Sequence, residues 1–448
     1  MHNLLYRLTF FLAVFAWPLP LWLGGANLYG QFSMGIDIEK APFEYSLAQD
    51  DNRVSRLRDR LQAGELQLEH SPERGNLEAL LAALELPQSS QVLVFSKTSM
   101  QVRYITGRNP RAIYFNDDTY LGWVYGSSLV EISTADPQLG TAFYTIDMSP
   151  TRPKLKRADY DCMACHATTL TQGVPGHTVR SVFPTIDGSV DAQKESFITD
   201  DSSPLSQRWG GWYVTGRHGQ MSHMGNAYLR GTGLDTRDNG NRPVLKDEFA
   251  TGNYLSPYSD IVALMVLEHQ TQMHNTLTRA DFFVRQLLHD ALPDSLPDSL
   301  PGADVPAELT DSQLVWQAQL RMIAQEVVQR LLFCHEVELT HPVEGSNSFA
   351  EEFVERGPRD SQQRSLREFD LQTRMFRYPC SYMIYSSTFE NLQPVLRDEI
   401  YRQLQVILVT ESTAAADSKN LYQHLSADTR ADIRAILRET KSDLPENW

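Results

Sequence analysis

DCMACHATT, residues 161–169, carries two of the four cysteines of this chain, Cys162 and Cys165, with His166 directly behind the second. Four readings compete for that spacing: a covalent haem attachment, a redox dithiol, half of a zinc site, or an accident of composition. Which one holds decides what the flanking chain has to build.

Each of those chemistries prefers a different redox compartment, and the N-terminus speaks to compartment. Arg7 precedes an apolar run, Leu8 to Leu23 (LTFFLAVFAWPLPLWL), and Gly24 to Ala26 offers the small residues that a signal peptidase accepts. Residues 1–26 therefore read as an export signal. The alternative is an uncleaved anchor, because the run is near the roughly 17-residue lower limit for a membrane span; Pro18 and Pro20 weaken it. Both readings place the remainder in the periplasm or otherwise outside the cytoplasm, in contact with a membrane only if the segment stays attached. No cysteine follows the apolar run, which excludes a lipoprotein.

The chain has 448 residues, 42% of them hydrophobic and 21% charged, enough for two or three packed units. With 40 Lys+Arg against 56 Asp+Glu the formal net charge is −16, which repels phosphate backbones, so nucleic acid is not an expected partner. Four cysteines are too few for a disulfide scaffold in an exported chain of this size. Cys334 and Cys380 are left open as a bridge or as two free thiols.

A thioredoxin-like dithiol would end a strand and open a helix in a compact α/β unit, and the flanks KRADYD (156–161) and ATTLTQGVPG (167–176) do not have that character. A zinc site needs a second close pair, which Cys334 and Cys380 do not form. Haem remains: in C-x-x-C-H two thiols add across the porphyrin vinyl groups while the adjacent imidazole is delivered to the iron. One motif predicts one haem c, bound covalently through Cys162 and Cys165, with His166 as proximal ligand. On these three residues the chain resembles the c-type cytochromes. The resemblance covers the motif alone, and the chain departs from the bacterial di-haem peroxidases, which carry two such motifs.

Around the motif the pattern predicts an α+β fold, mainly helical, with a small β-rich N-terminal region, a loop-rich haem-binding middle and a helical C-terminal region. Residues 31–159 begin with helical spacing at Val54, Leu57 and Leu61 and in NLEALLAALEL, where Asn76 is a plausible N-cap. Short runs rich in Val, Ile, Tyr and Phe follow: QVLVFSK, RAIYFND, LGWVYG, SLVEIS and AFYTID. Residues 160–256 form a cytochrome c-like region whose GVPG, TIDG, WGG and RGTG stretches mark turns. Residues 257–448 are helical: a long helix capped by Ser259, a Pro- and Asp-rich linker at 292–306, then helices over Asp311–Leu339, Ser365–Phe376, Asn391–Val409 and Ser426–Thr440.

The sixth iron position separates a carrier from an enzyme. GRHGQMSHMGN (216–226) is the richest source of ligands, and Met224 or His223 is the candidate distal ligand. The rival is the long helix, where Glu268 and His269 are candidate acid–base residues above an open iron. Trp209 and Trp212 are candidates for stacking near the cofactor, and Arg180 and Arg208 for pairing with its propionates. Two functions follow: an extracytoplasmic monohaem cytochrome c that passes single electrons to a redox partner protein, or a haem peroxidase or oxygenase that takes a small-molecule oxidant.

Overall fold

The computed structural model describes residues 36–149, 152–237, 239–291, 310–409, 421–446 and 448. The expected export signal and the whole of the 292–306 linker lie outside them. Residues Ile36–Trp448 form one compact unit.

The short apolar runs pair in the order in which they occur. β1 (Val92–Val94), β2 (Arg111–Phe115), β3 (Thr119–Val124), β4 (Leu129–Asp136), β5 (Gly140–Asp147) and β6 (Leu155–Arg157) make a six-stranded antiparallel meander. Its register sets Ile113 against Gly122, Gly122 against Glu131, Tyr120 against Ser133, and Ser133 against Phe143. Because side chains alternate along a strand, these residues share one face with Arg111. Ala112, Tyr114, Leu121, Trp123, Val130, Tyr144 and Ile146 point the other way and share a buried core with α1 (Arg53–Ala63) and α2 (Leu77–Ala83) through Val54, Leu57, Leu77, Leu80 and Leu81. Fully burying each such leucine contributes about 1.5–3 kcal/mol.

The second core is built on α4 (Ile261–Asp290), a 30-residue helix about 45 Å long. It is buried around most of its circumference, as a central helix must be. α5 (Asp311–Leu331), α6 (Phe349–Glu355), α7 (Ser387–Glu390) and α8 (Pro394–Val409) pack around it and α9 (Ala427–Thr440) packs on α8, with Leu320, Val327, Phe353, Phe389, Ile400 and Ile433 in the same core. No helix among the described residues is long and apolar enough to cross a membrane.

The fold is α+β with about 35% helix and 15% strand, so the expectation of a mainly helical chain is corrected. Two features account for the difference. The N-terminal runs close into a full sheet, to which Leu155–Arg157 adds a strand too short to carry a period. The expected helix over Ser365–Phe376 does not form. There the Asp370 carboxylate accepts the backbone N–H groups of Gln372, Thr373 and Arg374, Leu371 takes a left-handed φ of 53°, and Phe369 bridges to Phe376. A side chain that satisfies its own backbone competes with the helical ladder. Two expected caps also move: Asp260 caps α4 in place of Ser259, and the Asn76 amide turns away to the carbonyls of Leu68 and Glu69.

Candidate functional site

The polypeptide leaves the sheet at β6 and enters α3 (Asp159–His166), which holds the C-x-x-C-H motif. Asp159 and Asp161 sit in the first turn, where the N-terminal partial charge favours carboxylates. Cys162, Cys165 and His166 are related by three and four residues, which puts them on one side of the helix. None of the eight residues of α3 is fully buried and Tyr160 is 92% exposed, while Cys162 and His166 are half-buried. The helix instead borders a cavity of about 650 Å³, on whose wall Cys162, Cys165 and His166 all lie. That volume is within the roughly 300–1,000 Å³ range of cofactor and ligand sites.

The sheet makes the opposite side of the cavity, through Arg111, Ile113, Tyr120, Gly122, Glu131, Ser133 and Phe143. Gly122 leaves β3 bare at its centre, and a Cβ there would collide with the Arg111 guanidinium, which crosses the strand to Glu131 at 2.8 Å. Burial alone would raise the Glu131 carboxyl. Arg111, with hydrogen bonds from Gln101 Nε2 and the Met100 N–H, outweighs burial and holds it below the usual range. Met100, Val102 and Leu170 stand on the wall and are exposed, so the cavity opens to the surface.

His166 is held through its ring and its backbone. Its Nδ1–H donates to the Gly176 carbonyl at 2.8 Å, and the Gly176 N–H returns a bond to the His166 carbonyl at 2.9 Å. With the proton on Nδ1, the lone pair is on Nε2, the atom a metal would take. Burial lowers the imidazole pKa against the opposing effect of that hydrogen bond, which keeps the ring neutral. The Cys162 thiol is pushed up to about 12 by burial and by the Glu131, Asp161 and Asp159 carboxylates. Reactive dithiols need the opposite shift, toward the thiolate.

These residues fit a covalently bound haem. The two thiols and the free Nε2 come from one helix; that helix presents no buried residue of its own beside a cavity of suitable size. Arg180, also on the wall, has its Nε and Nη2 on the Ser196 hydroxyl, which leaves its charge available to a carboxylate such as a propionate. Among the described residues no three His, Cys, Asp or Glu are gathered as a metal site. A haem iron asks the protein for only one or two axial ligands.

The other residues singled out in the sequence fall elsewhere. Met224 and His223 are not on this wall. The Met224 sulfur accepts the Ser181 hydroxyl at 3.5 Å, and His223 Nδ1 accepts the Gly225 N–H at 3.0 Å, which puts the proton of the neutral ring on Nε2. Burial drives His223 down to about 3. α4 turns Leu267 and Thr271 toward the cavity, and Glu268 and His269, rotated by about 100° and 200° from Leu267, face away. Glu268, pushed up to about 7 by burial, is bound by Arg208 at 3.2 Å and by the Thr199 hydroxyl. His269 lies between Asp201 at 3.2 Å and the Ser381 hydroxyl at 2.7 Å, stacked on Phe333. That order of groups is the order of a charge relay, but Ser381 and His269 are sealed from solvent, so here it braces α4. Trp212 is on the wall, whereas Trp209 packs against His223 and Arg208 is buried against Glu268. All four thiols are free, including Cys334 and Cys380.

The sequence reading missed Met100 and His177, a thioether and an imidazole on the wall that can bind iron. His177 follows the GVPG turn and lies against Tyr120, with Nε2 on the Ser133 hydroxyl and Nδ1 without a partner among the described residues. The only signal for it was its nearness in sequence to His166; Met100 had none.

No family model, no curated protein and no solved structure matches this chain.

Proposed function

We propose that this protein is an extracytoplasmic monohaem c-type cytochrome, carrying one haem on Cys162 and Cys165 with His166 on the iron, and that it passes single electrons to a redox partner protein. The observation that carries the reading is the joint placement of both thiols and of an imidazole with its Nδ1 already engaged on the wall of one cavity. When bound, the haem supplies the one-electron couple. The chain's residues do the rest. Gly176 orients the imidazole, Arg180 offers a cation to an acidic edge, the apolar wall of Val94, Ile113, Val179 and Trp212 excludes water, and the opening beside Met100 and Leu170 brings a partner close.

A second reading, a haem peroxidase or oxygenase with an open iron face, is favoured by the Arg111–Glu131 pair. These groups supply a guanidinium for an anion and a carboxylate for a proton on the cavity wall. The ferric spectrum of the purified exported protein tests one reading against the other. A low-spin form that is slow with cyanide and peroxide supports the carrier, and a high-spin form that reacts quickly with peroxide supports the enzyme. Haem extracted by acidic organic solvent from the denatured chain would overturn both.

A further inference from the structure

Asn275 is fully buried on α4, and both ends of its amide are used on one neighbour: Oδ1 accepts the His177 N–H at 2.9 Å, and Nδ2 donates to the His177 carbonyl at 2.7 Å. The His177 N–H belongs to the same peptide group as the Gly176 carbonyl, and that carbonyl accepts the Nδ1–H of His166. The atoms therefore form an unbroken row from Asn275 Oδ1 through the 176–177 peptide to the His166 ring. Gly176 makes the approach possible, since a Cβ there would collide with Asn275 Oδ1. The Thr171 hydroxyl donates to the His166 carbonyl at 3.2 Å and closes the loop from the other side.

We propose that Asn275 is a positioning residue for His166, which sets the orientation and the electron donation of the imidazole through the single peptide group joining Gly176 to His177. The inference rests on the haem reading above. Two physical effects carry it. A peptide whose N–H is already bonded has a more polarised carbonyl, because hydrogen bonds in a row strengthen one another in a low-dielectric interior. A stronger acceptor at Nδ1–H in turn makes Nε2 a better donor to a metal, as the outer partners of ligating histidines generally do. The amide also pins the peptide plane, so the ring is held at a fixed angle from a rigid central helix and not from the turn alone.

The test uses the full exported chain, with two readouts: the reduction potential, and the iron–histidine stretching frequency by time-resolved resonance Raman of the five-coordinate ferrous form left when light dissociates the sixth ligand. Wild-type protein without covalent haem would defeat the haem reading before Asn275 is in question. With haem attached, Asn275→Ala should keep both thioethers, raise the potential and lower the stretching frequency, because the imidazole donates less. Asn275→Asp keeps an acceptor for the His177 N–H, so its potential should stay at or below the wild-type value. Should the alanine variant not fold, Gly176→Ala, whose Cβ would push Asn275 Oδ1 away from the His177 N–H, should give the same upward shift. An unchanged potential and frequency in Asn275→Ala or Gly176→Ala, or a rise in Asn275→Asp, would overturn the proposal.

Discussion

Arg111 on β2 reaches across the bare centre of β3 to Glu131 on β4 and meets its carboxylate at 2.8 Å, so one ion pair spans three strands beneath the cavity. Both side chains are mostly buried, at 18% and 15% exposure, which places the pair between a surface bridge and a desolvated one. Arg111→Leu should destabilise the fold at neutral pH by about 2–4 kcal/mol, chiefly by leaving the Glu131 carboxylate uncompensated. The Glu131 pKa is depressed in the folded state, so its contribution is present above the ordinary glutamate value and is lost as pH falls through the folded one. The difference between wild type and Arg111→Leu in urea melts should therefore be largest at neutral pH, begin to shrink above the ordinary glutamate value, where burial makes the uncompensated carboxyl of the variant take a proton, and keep shrinking as pH falls through the depressed wild-type value. A difference independent of pH would refute the coupling.

Attachment through two thiols predicts a specific intermediate in mutagenesis. Cys165→Ser should retain haem by one thioether, visible as a shifted α-band in alkaline pyridine, and the Cys162→Ser/Cys165→Ser double variant should release it on denaturation. Retention of two thioethers by Cys165→Ser would mean that another thiol is used. The nearest alternatives in kind, Cys334 and Cys380, are free thiols pushed up to about 12 by burial.

The carrier reading requires a sixth ligand from the cavity wall, where Met100 and His177 stand and Met224 and His223 do not. Met100→Ala or His177→Phe should convert a low-spin ferric iron to high spin and open it to cyanide. Met224→Ala should leave the spectrum as it is, since that sulfur is committed to Ser181. Loss of a near-infrared sulfur band in Met224→Ala, with Met100→Ala silent, would show that the loop rearranges around the cofactor.

Glu336 is pushed up to about 7 by burial, while the Met375 N–H at 2.7 Å acts in the opposite sense. Its folded pKa is above the unfolded value, so the folded state prefers the protonated form; the stabilisation is complete below about pH 4.5 and is lost as pH rises through about 7. Glu336→Gln keeps an acceptor for Met375 and removes the titration. It should gain on the wild type in chemical melts at pH 8 relative to pH 5, and parallel curves at both pH values would contradict the assignment.

The sealed row Asp201, His269 and Ser381 is a brace, so Ser381→Ala should cost about 1–3 kcal/mol, the price of an unmet hydrogen bond on buried His269 Nε2. It should leave the haem spectrum and any peroxide reaction untouched. A change in either would give His269 a role at the iron.

Much of the architecture was legible because its signals are local. The period-two runs at 111–115 and 142–147, the apolar spacing of Val54 and Leu57, and the helical pattern over Ser426–Thr440 each depend on neighbours a few residues away. So does the C-x-x-C-H spacing, which one turn of helix brings to one side of α3. What tertiary structure alone decided is which distant side chains face that motif. Periodicity places Met224, His223, Glu268 and His269 on plausible elements but cannot say which way those elements turn. The sheet closes over α3 and brings Arg111, Glu131 and Met100 to the cavity, while α4 presents Leu267 and Thr271 there and turns its acid and imidazole toward Arg208 and Ser381. The tie between Asn275 and His166 is invisible in sequence for the same reason. It passes through a peptide group, which every residue carries, and it exists only because the fold sets a helix a hundred residues downstream against the turn at Gly176.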